Sequence, residues 1–266
     1  MGQAKSWRRA DVAPQSSQGA PSQMDVTLLP QELLVLILSW VPSWTLVTVG
    51  RLVCRQWKDL IDGPVLWKLQ GERDPSKREA FCAALEAARH CPRMEWARVG
   101  VLQPFGRNLI KNPRGKDQFQ HWQVSHRDDI CTDGISICQK SQLVDLVKEG
   151  LWEDLLDSFQ PDIFISDCQP LHPDLNCSPD PRSGHPHEPW SCTNTLVIVL
   201  LAADKNSVIT SIFIPEWNVP FQQASHVFRK YGPGVRFLQF MHIGNCTGAE
   251  HTAHITDSTV LVKLSR

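Results

Sequence analysis

The chain has 266 residues, 27 Lys plus Arg against 28 Asp plus Glu, and a formal net charge of −1 at pH 7. That balance, without a long basic run, excludes the electrostatic footprint of a nucleic-acid binder. A hydrophobic content of 42% supports one large domain or two smaller ones, and the nine Cys are odd in number and scattered, which points to a reducing, cytoplasmic setting.

Residues 1–24 are rich in Ser, Gln, Pro and Ala and read as a disordered tail. Its start, "MGQAKS", fits the acylation pattern M-G-x-x-x-[ST], with Gly2 as the myristoylation candidate and Arg8 and Arg9 directly behind it. One acyl chain anchors only marginally, and nearby cations supply the second attraction to a membrane surface. Peripheral membrane contact is therefore an expectation. Spanning is not: Leu33 to Val41 is interrupted by Ser39 and closed by Pro42, far short of the roughly 18 apolar residues a bilayer requires.

From residue 25 to 70 the pattern is helical. Pro30 suits a first turn, Leu33, Leu36, Ile37 and Trp40 recur at i, i+3, i+4 and i+7, and Pro42 stops that helix. Leu46, Val49, Val53, Trp57 and Leu60 trace a second stripe, and residues 61–64 form a turn. Residues 71–96 are a helical linker, with Asp74 ahead of Pro75 as the start of an Ala-rich helix. Beyond Pro92 the texture changes to short β-branched and aromatic runs separated by Pro, Gly, Asn and Asp. These are residues 122–126, 163–166, 195–201, 208–214, 225–228, 235–242 and 259–264. Seven such runs argue a β-sandwich over residues 97–266. Within it, residues 141–158 read as one or two short helices from Leu143, Leu146, Val147 and Leu151, and residues 169–191 read as a long loop. The fold class is α+β: a small all-α N-terminal unit, a helical linker and an antiparallel, jelly-roll-like sandwich.

So small a helical unit cannot bury Leu28, Leu29, Leu33, Leu34, Leu36, Ile37, Leu38, Trp40, Val41, Trp44, Leu46 and Val47 within itself. An apolar excess of that size marks either packing on the sandwich or a protein interface. The stretch "LLPQELLVLILSWVPSWTLVTVGRLVCRQWKDLIDGPVLWK" resembles an F-box, through Leu29-Pro30, Glu32-Leu33, the Val41-Pro42 break, Val53-Cys54-Arg55, Trp57 and Leu66-Trp67. The resemblance implies docking on a Skp-type adaptor of a cullin–RING (SCF) ubiquitin ligase. It assigns that contact to Leu29, Pro30, Leu33, Ile37, Leu38, Pro42, Leu46, Val53 and Trp57.

The segments "PFGRNLIKNPRGKDQFQHWQV", "QLVDLVKEGLWEDLLDSFQPDI", "SHVFRKYGPGVRFLQF" and "ITDSTVLV" resemble the F-box-associated domain of the sugar-recognising F-box proteins. That family implies a ten-stranded sandwich and clients that are N-glycosylated proteins, bound by loops at one end with an aromatic pair stacking on sugar. Here the corresponding loop, residues 241–258, holds no Trp, Tyr or Phe and is about three residues short of the family form. Its polar groups Asn245, Thr247, Glu250 and His251, with His254 beside them, are the remaining client or glycan candidates. Tight sugar sites combine an aromatic platform with placed hydrogen-bond groups, so glycan binding is expected to be weak. Trp57, Trp67 and Trp122 read as core, while Trp190 and Trp217 sit beside loops.

Cys168, Cys177, His185, His187 and Cys192 are the only zinc-like cluster, and their spacing lacks C-x₂-C, so neither metal nor other cofactor is expected. No nucleophile elbow, Walker loop or H-E-x-x-H occurs, which fits a non-catalytic subunit. The competing class is a carbohydrate- or protein-binding scaffold that uses the sandwich without a ligase.

Overall fold

A computed structural model describes residues 29–89, 91, 93–127, 135–169, 192–214, 222–247 and 256–264. Six helices precede eight strands. They are α1 (Gln31–Leu38), α2 (Ser43–Thr48), α3 (Arg55–Asp62), α4 (Pro64–Arg73), α5 (Pro75–Ala88) and α6 (Trp96–Leu102). The strands follow as β1 (Gln123–Arg127), β2 (Ile135–Asp145), β3 (Asp162–Gln169), β4 (Cys192–Leu201), β5 (Val208–Ile214), β6 (Gln222–Phe228), β7 (Phe237–Thr247) and β8 (Thr256–Lys263).

Pro30 and Pro42 stand immediately before α1 and α2, where a missing N–H removes no intrahelical bond. The break at Pro42 is braced from a distance. Gln70 of α4 donates Nε2–H to the Val41 carbonyl at 2.8 Å and accepts from Ser43 Oγ at 2.9 Å. Arg73 donates to the Ser39 carbonyl at 2.9 Å, which satisfies an orphan acceptor at the end of α1, and its guanidinium lies 3.9 Å from the Trp40 ring centroid.

All strand pairings are antiparallel, in a five-stranded sheet ordered β1-β2-β7-β4-β5 and a three-stranded sheet ordered β6-β3-β8. The described residues thus hold eight strands where the family resemblance implied ten. Alternation sets the core: Ile163 and Ile165 of β3, Val260 and Val262 of β8, Leu196, Ile198 and Leu200 of β4, and Leu238 and Phe240 of β7 are all buried. The outer edge of β8 is covered by the segment after α6. Gly106 and Leu109 donate backbone N–H to the carbonyls of Val262 and Val260, at 3.0 and 2.8 Å. An open edge would present unpaired ladder groups.

Two expectations need correction. Residues 141–145, read as helical, are the last five residues of the eleven-residue β2 and pair with Phe237–Met241 of β7. The spacing of Leu143, Leu146, Val147 and Leu151 imitates a helix, but a strand followed by the turn at residues 146–150 produces it, and the short π-helix Leu155–Phe159 comes only afterwards. The sandwich also does not follow the linker directly at residue 97, because α6 intervenes.

α6 is the joint. Gly100 lies against the buried Trp67 of α4, Arg98 donates to the Leu151 carbonyl at 3.0 Å, and Leu102 packs on Gly150, whose φ of +107° suits a residue without Cβ. One hydrophobic cluster consequently runs from Leu34 in α1 to Val262 in β8.

Candidate functional site

The helical unit divides its apolar residues between two faces. In α1, Leu34, Val35 and Leu38 point inward, whereas Leu33, Leu36, Ile37 and Trp40 point outward and are 46–74% exposed. The i, i+3, i+4, i+7 stripe legible in the sequence is therefore the outer one. Trp44 of α2, with Val49, Leu52 and Val53 around the 3-10 turn Gly50–Leu52, extends the exposed apolar surface, and Leu52 is 82% exposed. Nine of the thirteen exposed large hydrophobic residues lie between Leu33 and Val65. Single exposed apolar residues mean little, but a contiguous set on one small unit is the usual mark of a docking surface.

Among the residues assigned to adaptor contact, Leu33, Ile37 and Val53 are exposed apolar groups, and Pro30 and Pro42 are exposed at the helix starts. Leu29 and Trp57 are half-buried and pack on the core. Leu38 and Leu46 are corrected: each is 1% exposed and belongs to the buried core cluster, so neither offers side-chain surface in this structure. Leu36, Trp40, Trp44, Val49 and Leu52 are further exposed apolar residues of this unit that the assignment does not include, and Leu36 and Trp40 belong to the stripe legible in the sequence.

Between this face and the linker lies a cleft of about 530 Å³, lined in part by Trp44, Val47, Met94, Trp96 and Val101. Arg51 and Asp62, paired at 2.9 Å, and Arg98 and Glu95, paired at 2.6 Å, set its polar walls.

The sandwich has a second candidate region. β1 ends at Arg127, β3 at Gln169, β5 at Ile214 and β7 at Thr247, while β2, β4, β6 and β8 start at the same end. Four connections therefore leave from one end. Asn245 and Thr247 lie on the last three residues of β7, opposite Ile137 and Ile135 of β2, and thus at this loop end. Glu250, His251 and His254 lie outside the described residues, as do Trp190, Trp217, Cys177, His185, His187 and Gly2. Cys168 is in β3 and Cys192 begins β4. Among the described residues no three His, Cys, Asp or Glu side chains come together as a metal site.

Just inside this end the core turns polar. Asp167, His242 and Ser258 take the inward positions that follow Ile165, Phe240 and precede Val260 in their strands, and all three are buried. His242 Nε2 is hydrogen-bonded to Asp167 Oδ2, and Ser258 Oγ donates to Asp167 Oδ1 at 3.3 Å. Burial pushes the His242 imidazole below its ordinary range, and the charge of Lys140 acts in the same direction. Trp122 stacks on His242 at 6.3 Å between centroids and donates its indole N–H to the Asn112 carbonyl at 3.1 Å. This is no nucleophilic triad. Ser258 and His242 both bond Asp167 instead of each other, and Ser258 is wholly buried.

An all-α unit with an outward apolar face, joined through α6 to an antiparallel sandwich with its loops gathered at one end, defines a two-ended docking protein. Residues 26–70 match the F-box-like family model and residues 100–178 match the F-box associated region. F-box only protein 27 of Mus musculus is 34% identical over 274 residues, covering 91% of this chain and 92% of that protein. F-box only protein 17 of Homo sapiens is 33% identical, covering 92% and 95%, and human F-box only protein 6 is 30% identical, covering 88% and 83%. The chain belongs to the F-box only proteins that carry an F-box associated region.

Proposed function

We propose that this chain is the non-catalytic substrate-recognition subunit of an SCF-type cullin–RING ubiquitin ligase, with the helical unit on a Skp-type adaptor and the sandwich holding the client. The observation that carries the reading is the outward apolar stripe Leu33, Leu36, Ile37 and Trp40, placed within the F-box-like segment. Such a receptor contributes proximity, bringing a client to a ubiquitin carried elsewhere in the assembly, so it needs no reacting group of its own. Capture from cells tests it. The wild type is expected to bring down adaptor and cullin, and Leu33→Asp with Ile37→Asp is expected to lose both. Because both side chains are about half exposed, the double variant should melt close to the wild type. Undiminished adaptor capture by that variant ends the reading.

Client capture belongs to the loop end of the sandwich, with Asn245, Thr247, Glu250 and His251 as its polar groups. The loss of a stacking aromatic costs about 2–4 kcal/mol, the scale of a hot-spot truncation. Glycan recognition here is accordingly weak, and the client is held mainly through protein contacts. Titration with chitobiose and a high-mannose glycopeptide decides it, since saturation tighter than about 100 μM, roughly −5.5 kcal/mol, restores an ordinary glycan site. Myristoylation of Gly2, assisted by Arg8 and Arg9, places part of a cytoplasmic population on membrane faces. Mass spectrometry of the N-terminal peptide and Gly2→Ala fractionation test this.

A further inference from the structure

Among the described residues the facing surfaces of the two sheets are mainly apolar, apart from Gln142 of β2 opposite Phe240, and the layer just inside the loop end is polar. There Asp167 and Ser258 come from β3 and β8 of the three-stranded sheet, and His242 comes from β7 of the five-stranded sheet. Their exposures are 0%, 0% and 2%. Asp167 accepts from His242 across the sandwich, and from Ser258 and the Cys168 N–H on its own side. The other imidazole nitrogen, Nδ1, is buried and has no hydrogen-bond partner among the described residues. A buried orphan acceptor is more readily tolerated than a buried orphan donor, which fixes the neutral ring as the Nε2–H tautomer.

We propose that His242, Asp167 and Ser258 form an acid-labile clasp that holds the two sheets together beneath the loop end. A second proton can enter the ring only at Nδ1. It would create a charged, buried N–H donor in a ring stacked on Trp122, with the edge contact of Phe240 at 5.1 Å beside it and no hydrogen-bond partner for that nitrogen among the described residues. Asp167 opposes this through its own attraction for a cation, but it already receives the Nε2 proton. Lys140 of β2, opposite His242 in the ladder and 4.6 Å from the Trp122 centroid, repels a second charge.

Among the described residues, the other ionisable groups on adjoining strands do not supply an acceptor at Nδ1. Asp257 of β8 pairs with Arg114 at 2.5 Å, and the Cys168 thiol is pushed up by burial and then by the charges of Asp167 and Asp257. His226 of β6, on the far side of β3, is itself lowered by burial. Because the folded ring resists protonation, the unfolded or opened state takes up the proton first. Stability from the clasp is complete above the ordinary histidine range and is lost as pH falls through it. The end from which four loops depart is the end that loosens.

Long-range imidazole nitrogen–carbon NMR on the full chain reads this directly. His242 is expected to keep a single neutral Nε2–H signature at pH 6, while exposed members of the ten histidines gain protons near their ordinary value of about 6.5. Hydrogen exchange of β3, β7 and β8 amides, corrected for intrinsic rate, should accelerate up to about tenfold per pH unit below that value, the limit for one linked proton. His242→Gln retains an N–H donor and cannot titrate, so its corrected exchange should lose the share of the pH dependence that His242 supplies and keep only the weaker share left by other groups such as His226. A charged His242 ring at pH 7, or an equal pH dependence in His242→Gln, overturns the proposal. If that variant does not fold, the wild-type ring spectrum still decides. Neither measurement involves adaptor or client, so the ligase reading stands or falls separately.

Discussion

Replacing Gly100 by Ala tests how the helical unit is fastened to the sandwich. A Cβ at this position would fall 2.0 Å from Trp67 Cε3, 2.3 Å from Cδ2 and 2.7 Å from Cζ3. Carbon atoms settle at about 3.5–4.0 Å, so the ring or the α6 backbone must move by roughly 1.5 Å. Trp67 has little room, being 1% exposed and holding the Ile61 carbonyl through its indole N–H at 2.7 Å. Overpacking of a close-packed core costs about 1–3 kcal/mol, and a buried, hydrogen-bonded indole with little room to move places it at the upper end. Loss of the indole hydrogen bond adds about 1 kcal/mol, and the better helix propensity of Ala returns about as much. The net expectation is a loss of about 2–3 kcal/mol, or roughly 4–12 °C in melting temperature for a chain of this size. Gly71 in α4 is the internal control, since its added Cβ would meet Phe81 at an ordinary 3.5 Å. Gly71→Ala should leave the melt unchanged or raise it. In a Trp67→Leu background Gly100→Ala should become nearly neutral. Thermal melts by circular dichroism supply all four corners of the comparison. Equal effects at Gly71 and Gly100, or no relief from Trp67→Leu, would refute the steric account.

Leu52→Ser, at a site 82% exposed, should change stability by no more than about 0.5 kcal/mol while weakening adaptor capture, whereas Leu38→Ala should cost about 2–5 kcal/mol of stability. Paired melts and pull-downs distinguish surface from core on the same unit. Asp157→Ala removes the paired bonds to Arg236 at 2.7 and 2.8 Å and the bond from the Gly234 N–H at 2.7 Å, and should cost about 2 kcal/mol by chemical denaturation at pH 7. The Arg236 guanidinium holds the Asp157 carboxyl below its ordinary 3.8. Its contribution is therefore full above that value and fades as pH falls below it, so Asp157→Asn should flatten the acid limb of the stability curve.

The helical unit was legible because its periodicity is local: Pro30 and Pro42 bracket α1, and the outer stripe can be counted off the chain. Which side of α1 faced inward was not, since that helix is apolar on nearly every side and the choice is made by α4, some thirty residues on. Strand β2 was hidden for a related reason. Leu143, Leu146 and Leu151 straddle a strand, a turn and the connection after it, and only the ladder to β7 gives residues 141–145 their extended form. The clasp illustrates the limit most sharply. Asp167 and His242 are 75 residues apart, and neither has a spacing motif. Their inward parity in β3 and β7 was in principle countable, but their meeting depends on how two sheets face each other.

The strap over β8 bears on the order in which this molecule can be made. Asn108 donates to the Ser258 carbonyl and accepts from the Val260 N–H, contacts that span 150 and 152 residues. Contacts so distant along the chain are slow to form, because the intervening loop must close before any of them is rewarded. The helical unit, whose braces span at most about thirty-four residues, can assemble while the sandwich is still emerging from the ribosome. Until β8 arrives, the strap, β3 and the inner faces of the larger sheet remain without their last neighbour. A nascent chain stalled before residue 256 is thus a docking unit already shaped for a partner, attached to an unfinished and adhesive half-barrel.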